Sequence, residues 1–389
     1  MTVPTAFLLP RLRAFWRSPS GGACVLLLAS VLGFGLANSP WAGAYGAVAQ
    51  WPLGVSILGA QGPRTLTAWV SDGLMALFFM TIILEIRQEI SDGHLSSSRK
   101  VALPLIGALG GMVVPALAYI LITRGAADAA QGWAIPIATD AAFTLPIILL
   151  LGARVAPAAR VWLMALAVFD DLLGIVVIAV FYGSAPCWPA LAGASMVLVG
   201  LIAARRCGVG YTGVYGLGGV LLWGLCVRAG VQPTLAGVAI GACLPAPLVR
   251  PGLNAVVTWV VLPLFGFLNV GVSLAGAHMG LLLAPVPLGV MLGLVVGKPV
   301  GVFGASVLAR RLGVASLPEA TSLYMLFGLS LLCGIGFTIS LFIVGLAFTD
   351  PALVETAKLG IFAGSLIAAL SGWLWLRFAG RSRQRAEGG

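Results

Sequence analysis

Residues 164–180 read MALAVFDDLLGIVVIAV. Fifteen of the seventeen are at home in hydrocarbon, and the other two, Asp170 and Asp171, stand side by side near the middle. A carboxylate at the centre of a bilayer costs at least about 2.5–3.5 kcal/mol on insertion scales, so two adjacent ones need a reason.

The rest of the chain sets the same physical context. Of 389 residues, 60% are hydrophobic and only 9% charged, with a mean hydropathy of +1.06. A soluble domain carries roughly 25% charged residues, and this chain has too few to cover a water-facing surface. Apolar runs of about 20 residues recur from end to end, each long enough to cross a bilayer as a helix. The expected fold is an all-α polytopic membrane protein. A membrane β-barrel is excluded, because its strands would alternate polar and apolar residues with period two.

The net charge of +10 points to topology and not to a nucleic-acid partner. Twelve spans are expected, at about 21–38, 70–90, 101–123, 133–151, 158–182, 189–204, 212–227, 232–246, 254–276, 287–309, 322–348 and 352–378. With both termini on the cytoplasmic side, 17 of the 22 Lys and Arg residues fall in inside segments, four outside (Arg64, Arg124, Arg228, Lys358), and Lys298 alone lies within a span. That asymmetry is the positive-inside pattern. The connection 39–69, with WPLGVSILGAQGP, is compatible with a small hairpin outside the membrane. The N-terminus lacks the order of a signal peptide, since basic residues follow its first apolar stretch. The six cysteines form no CxxC pair and read as small core residues. His94 and His278 are too far apart in sequence for ordinary zinc-ligand spacing.

Two spans are interrupted in corresponding places. The fourth reads WAIPIATDAAFTLPIILLL, with Pro136, Pro146 and the polar pair Thr139–Asp140. The eleventh reads LYMLFGLSLLCGIGFTISLFIVGL, with Gly334 and Gly336 at its centre. Proline removes a helical hydrogen bond and glycine permits a break. Such matching interruptions point to a transporter's binding site between repeats. Spans 3–5 and 10–12 form the two repeats, and because three is odd the second runs inverted. One integral membrane domain is expected over 1–380, with a core bundle at about 101–182 and 287–378, an interface part at about 21–90 and 189–276, and a cytoplasmic tail at 381–389.

Ionisable groups inside the membrane are the candidate functional residues. They are Asp140 in the break of span 4, Asp170 and Asp171 in span 5, and Lys298 in span 10. Asp72 opens span 2, and Glu85 and Glu89 close it. Neighbouring helical residues point about 100° apart, so Asp170 and Asp171 cannot easily share one partner. The first is expected to pair with Lys298 and the second to face a water-filled cavity. A small hard cation prefers oxygen ligands, which a carboxylate, backbone carbonyls and Thr139 supply. The same oxygens hold a proton or a cation but not both, and competition for one site reached alternately from each side is sufficient for exchange. Half-helices meeting at the break would leave like-signed termini facing each other, with Asp140 offsetting the positive pair and Lys298 or a nearby cation the negative. Glu85 and Glu89, four apart, share a helix face and read either as an ordinary helix end or as a cation-access or pH-responsive patch. Gly293, Gly297 and Gly301, like Gly360 and Gly364, read as close-packing ridges.

The motifs ATDAAF, LMALAVFDDLLGIVVIAVFY, GKPVG and LCGIGFTISLFI, in that order, resemble the NhaA family of bacterial sodium/proton antiporters. The likeness extends to DGLMALFF and LEIRQEI, LPLIGALGGMVVPALAY, PTLAGVAIG, LPLFGFLNVGV and AKLGIFAGSLIAAL, over about 300 residues. The resemblance implies that Asp171 is the principal ion-binding and proton-carrying aspartate, with Na⁺ held at Asp171 and Asp170. It implies that Asp170 pairs with Lys298, that Asp140 and Thr139 belong to the unwound segment, and that Asp72, Glu85 and Glu89 serve ion access and pH response. It further implies electrogenic export of Na⁺ or Li⁺ for a larger number of protons, no cofactor, no enzymatic reaction, a homodimer formed partly through the hairpin after span 1, and residence in the bacterial inner membrane. Two positions depart from the family pattern. Gln232 stands where some members carry a histidine, and Gln88 where a basic residue is common, so the pH profile is expected to differ.

Three other functions fit less well. An intramembrane aspartyl protease would draw its aspartates from two helices. A channel would show a symmetric ring of carbonyls or charges. A sodium-coupled organic-solute symporter of related architecture is the alternative that flux of an organic solute would reveal.

Overall fold

The computed structural model describes residues 19–91, 98–183, 187–245, 248, 252–272 and 279–386. Arg11, Arg13, Arg17 and both histidines lie outside them. Helix α1 (Pro19–Ala37) is followed by a short helix α2 (Ala42–Ala49), bent from it by 119°. A two-stranded antiparallel hairpin, β1 (Ser56–Ile57) and β2 (Ala60–Gln61), fills the expected connection, with Ser56 opposite Gln61. Leu58 and Gly59, both at positive φ, make its turn.

The long helices follow in order: α3 (Leu66–Gln88), α4 (Ser98–Ile122), the 3₁₀ half-helix α5 (Ala127–Ile137) with its partner α6 (Ala141–Leu151), and α7 (Pro157–Phe181). Next come α8 (Trp188–Arg206), α9 (Thr212–Ala229), the short α10 (Leu235–Cys243), α11 (Gly252–Asn269) and α12 (Pro285–Arg311). The half-helices α13 (Leu323–Leu332) and α14 (Phe337–Ala347) and the long α15 (Pro351–Ala386) complete the chain. Among the described residues nine helices are long and apolar enough to cross a bilayer, or eleven when each of two bent pairs counts as one span. The segment expected as the eighth span is the nine-residue α10. The segment nonetheless runs the length of α3, from Gln232 beside Asp72 to Gly241 and Leu244, whose carbonyls accept from Arg87 Nη1. Pro233 and Pro245 flank α10.

The two expected repeats are visible as matching series: α4, the broken pair α5/α6 and α7, then α12, the broken pair α13/α14 and α15. Their first helices lie antiparallel. Gly107 sits beside Ser306, Gly110 beside Gly301, and Pro115 beside Gly297, so residue numbers rise on one helix as they fall on the other. This is the geometry of an inverted repeat. Large apolar side chains such as Leu28, Leu150, Met196, Leu217 and Val220 point outward and are mostly exposed, the surface of a protein whose solvent is lipid. The polar groups Thr139, Asp140, Asp170, Lys298, Ser330, Thr338 and Ser340 are buried instead, where the repeats cross.

Candidate functional site

The two breaks hold one another. In span 4 the chain is extended at Asp140 (φ −81°, ψ 100°), between α5 and α6. Asp140 caps α6: its Oδ1 accepts from Ala142 N at 2.9 Å. Its Oδ2 accepts from both the backbone N–H and the hydroxyl of Thr338, each at 2.7 Å. Thr338 is the second residue of α14, so one carboxylate meets the exposed N–H groups of two half-helices. Asp140 N in turn donates to Ile335 O at 2.6 Å. Ser340 Oγ donates to Ile135 O at 2.6 Å, and Phe143 and Phe337 meet edge to face at 4.8 Å. A Cβ on Gly334 would stand 2.3 Å from Leu294 O, so glycine lets this break lie directly against α12.

Lys298 serves the opposite pole. It follows a π turn, Gly293–Gly297, and is fully buried. Its Nζ lies 2.7 Å from Asp170 Oδ2 and also donates to Ile137 O, the carbonyl that ends α5. A cation at a helix C-terminus is favourably placed. Thr139 Oγ1 bridges to the same Asp170 oxygen at 2.6 Å and to Cys333 O at 2.9 Å. Asp170 is thereby tied to both breaks at once.

Asp171 differs. It is the next residue on α7, is 8% exposed, and its Oδ1, like Asp170 Oδ1, has no hydrogen-bond partner among the described residues. It lines a cavity of about 790 Å³ together with Asp140, Thr338 and Glu85. The cavity is flanked by the beginnings of α1, α7 and α11 and the end of α3. Exposed Glu85, Gln88 and Asn254 stand at its mouth, with Asn254 Nδ2 3.5 Å from Glu85 Oε1. On the far side of Asp171 the helices close. Ile175 and Ile178 follow on α7, and Phe342 packs on Phe79 at 5.4 Å and Phe265 at 6.4 Å, all buried.

The sequence-derived site residues therefore fall into three groups. Asp140, Thr139, Asp170, Asp171 and Lys298 are brought together. Glu85 lies at the cavity mouth, while the side chain of Glu89 lies outside the described residues. Asp72 is not at this site. It sits in a π turn, Val70–Leu74, at the other end of α3, where its carbonyl accepts from Trp223 Nε1 at 2.8 Å and its Oδ1 lies 3.5 Å from Gln232 Nε2. The separation of Asp72 and Glu85 follows from thirteen helical residues, about 20 Å. Sequence reasoning passed over Thr338, Ser340 and the carbonyls of Ile137 and Cys333. Thr338 was detectable as the first polar side chain after the glycine break, in the place that mirrors Asp140. The carbonyls carry no sequence signal, because every residue has one. Among the described residues no group of three or more His, Cys, Asp or Glu side chains is placed to hold a metal. Any cation here takes its ligands from a carboxylate, hydroxyls, carbonyls and water.

The family model described as Na⁺/H⁺ antiporter 1 matches residues 13–376. Among curated proteins, the chain is similar to "Na(+)/H(+) antiporter NhaA" of Gluconacetobacter diazotrophicus, at 62% identity over 381 residues covering 95% of this chain and 96% of that one. The protein of the same name from Gluconobacter oxydans is 58% identical over 400 residues, covering 100% and 99%. That of Zymomonas mobilis is 52% identical over 378 residues, covering 94% and 97%.

Proposed function

The chain belongs to the Na⁺/H⁺ antiporter 1 family, and on that premise we propose that it exports Na⁺ or Li⁺ across the bacterial inner membrane in electrogenic exchange for protons. Asp171 carries the alternation. The observation behind this is the contrast between neighbours: each has an unpartnered Oδ1, but the other oxygen of Asp170 is engaged by Lys298 and Thr139, whereas Asp171 stands in the cavity wall and Asp170 does not. A cation reaching the carboxylate sheds part of its hydration for carboxylate, hydroxyl and carbonyl oxygens. A proton arriving from the other side neutralises the same oxygens and displaces it. Each ion stabilises the carboxylate, so the site is charged and empty only briefly.

The breaks serve this exchange by concentrating partial charges at mid-membrane and offsetting each with a side chain, Asp140 on the N-termini and Lys298 on a C-terminus. Alternating access follows when the core bundle, about 101–182 and 287–378, rocks against the interface part, about 21–90 and 189–276. In the state described, the cavity faces the side on which α7 begins, which the distribution of Lys and Arg assigns to the cytoplasm, with both termini there. Glu85 and Glu89 attract cations to that mouth. Asp72 and Gln232 adjust the response to pH from the opposite end of α3, and a homodimer forms partly through β1 and β2.

The test uses everted vesicles with an acid interior. Addition of NaCl or LiCl across pH 6.5 to 9 should collapse the pH difference for the wild type and not for Asp171→Asn. Collapse that survives in the variant would remove Asp171 from the mechanism. Absence of collapse in the wild type, with uptake of an organic anion, would favour a symporter.

A further inference from the structure

Helix α5 is a 3₁₀ helix over all eleven of its residues, Ala127–Ile137. Such helices rarely exceed about 3–4 residues, because their hydrogen bonds are poorly aligned. A run of this length needs support from outside. Pro136 disfavours an α-helix only in the last turn, where its ring would meet the carbonyl of Gly132.

Four side chains from four other elements take carbonyls of α5. Tyr119, fully buried on α4, donates from its hydroxyl to Ala129 O at 2.8 Å. Tyr182, the residue that ends α7, donates to Gln131 O at 2.6 Å. Ser340 of α14 donates to Ile135 O at 2.6 Å, and Lys298 of α12 donates to Ile137 O. These carbonyls fall into two pairs, Ala129 with Ile135 and Gln131 with Ile137, each pair six residues apart. At about three residues per turn, six residues make two whole turns, so each pair lies along one ridge about 12 Å long. In an α-helix six residues turn through about 600°, and the carbonyls of a pair would face about 120° apart. Each ridge therefore carries a tyrosine at its outer end and a residue of the crossing at its inner end, and only the 3₁₀ register serves both. Gly132 lies midway along the first ridge. A Cβ there would collide with the Tyr119 hydroxyl and with Phe348, so glycine is what lets the tyrosine reach α5.

Two residues beyond Ile137, Thr139 bridges Asp170 Oδ2 and Cys333 O. We propose that Tyr119 and Tyr182 are positioning residues for the cation site: their hydroxyls lock α5 in its three-residue register and so hold Thr139 against Asp170. The proposal rests on the antiport reading above. Both hydroxyls bond to α5 and act on the site only through it. Without them the first turns of α5 lose their outside support. The rise per residue is about 2.0 Å in a 3₁₀ helix and about 1.5 Å in an α-helix. Over the six steps from Gln131 to Ile137, relaxation to the α form draws the break outward by up to about 3 Å, more than a hydrogen bond from Thr139 can span.

Phenylalanine at both positions removes only the two hydroxyl oxygens. Hydrogen–deuterium exchange of the antiporter in nanodiscs reads the lock. A peptide spanning 129–137 should take up deuterium at least threefold faster in the double variant Tyr119→Phe, Tyr182→Phe than in wild type, with uptake in α8 unchanged. Initial rates of Na⁺/H⁺ exchange in everted vesicles read the positioning. The half-saturating Na⁺ concentration should rise at least threefold, with the maximal rate within twofold of wild type. Tyr182→Phe alone, at the half-buried position, should show both shifts in smaller measure and serves if the double variant does not fold. Unchanged deuterium uptake in α5 would overturn the lock. Faster uptake with an unchanged half-saturating Na⁺ concentration, or with a loss confined to the maximal rate, would overturn the positioning role. Absence of Na⁺/H⁺ exchange in the wild type would overturn the antiport reading and the positioning role with it, with deuterium uptake still reporting the lock.

Discussion

Asp140 Oδ2 accepts two hydrogen bonds from Thr338, one from its backbone N–H and one from its hydroxyl, both at 2.7 Å. The two broken spans are thereby clasped by a carboxylate of one and a residue of the other, 198 positions apart in the chain. A capping side chain contributes about 0.5–2 kcal/mol to a helix, and this one serves two. Asp140→Ala should lower stability by about 1–4 kcal/mol on that scale. Asp140→Asn, which keeps one carbonyl oxygen as acceptor, should fall between the variant and wild type. Thermal unfolding in detergent checks the order, and equal midpoints for all three would mean that the clasp adds no stability.

For Asp171 the opposite is expected. An unpartnered buried polar group is unfavourable for folding, and Asp171 Oδ1 is one. Asp171→Asn should therefore unfold at the same temperature as wild type or higher while losing Na⁺-dependent exchange. A large drop in unfolding temperature would show that the carboxylate has a structural partner after all.

The Lys298–Asp170 pair should behave as a unit. Removing one partner of a buried ion pair leaves an uncompensated charge, at a cost of about 3–5 kcal/mol. Lys298→Ala should be lowered by about that amount. The swap Asp170→Lys with Lys298→Asp should retain more folded protein than either single change. A double-mutant cycle on unfolding free energy gives the coupling directly, and a coupling near zero would argue that Thr139 and Ile137 suffice to hold the two groups.

Competition for Asp171 fixes the sign of the pH dependence. Protons and Na⁺ occupy the same oxygens, so lowering the pH raises the half-saturating Na⁺ concentration. For one competing proton the rise is about tenfold per pH unit on the acid limb, by linkage. Initial rates of exchange at several Na⁺ concentrations from pH 6 to 9 measure it. A half-saturating concentration independent of pH would mean that the two ions bind at different groups.

Much of this arrangement is legible without coordinates. Hydrocarbon tolerates few charges, so each intramembrane Asp or Lys stands out against its neighbours. Proline and glycine interrupt helices for local reasons, so both breaks can be placed from sequence. The rest was not legible because local signals are mute about it. The segment 232–246 is apolar enough for a span and runs the length of α3, but that only nine of its residues form a helix has no local signal. Asp72, which opens the span that Glu85 and Glu89 close, meets Trp223 and Gln232 there, partners that no local signal announces.

The sequence by itself determined the membrane fold, the repeats, the breaks and the short set of charged residues within the spans, because the bilayer penalises each exception to apolarity and these exceptions are local. Only the tertiary structure decided which oxygen meets which partner: that Asp140 caps two half-helices, that Lys298 and Thr139 occupy the same oxygen of Asp170, and that Asp171 is left to the cavity. Those assignments depend on carbonyls of Ile137, Cys333 and Ile335, which every residue possesses and only the crossing of the breaks brings to one place.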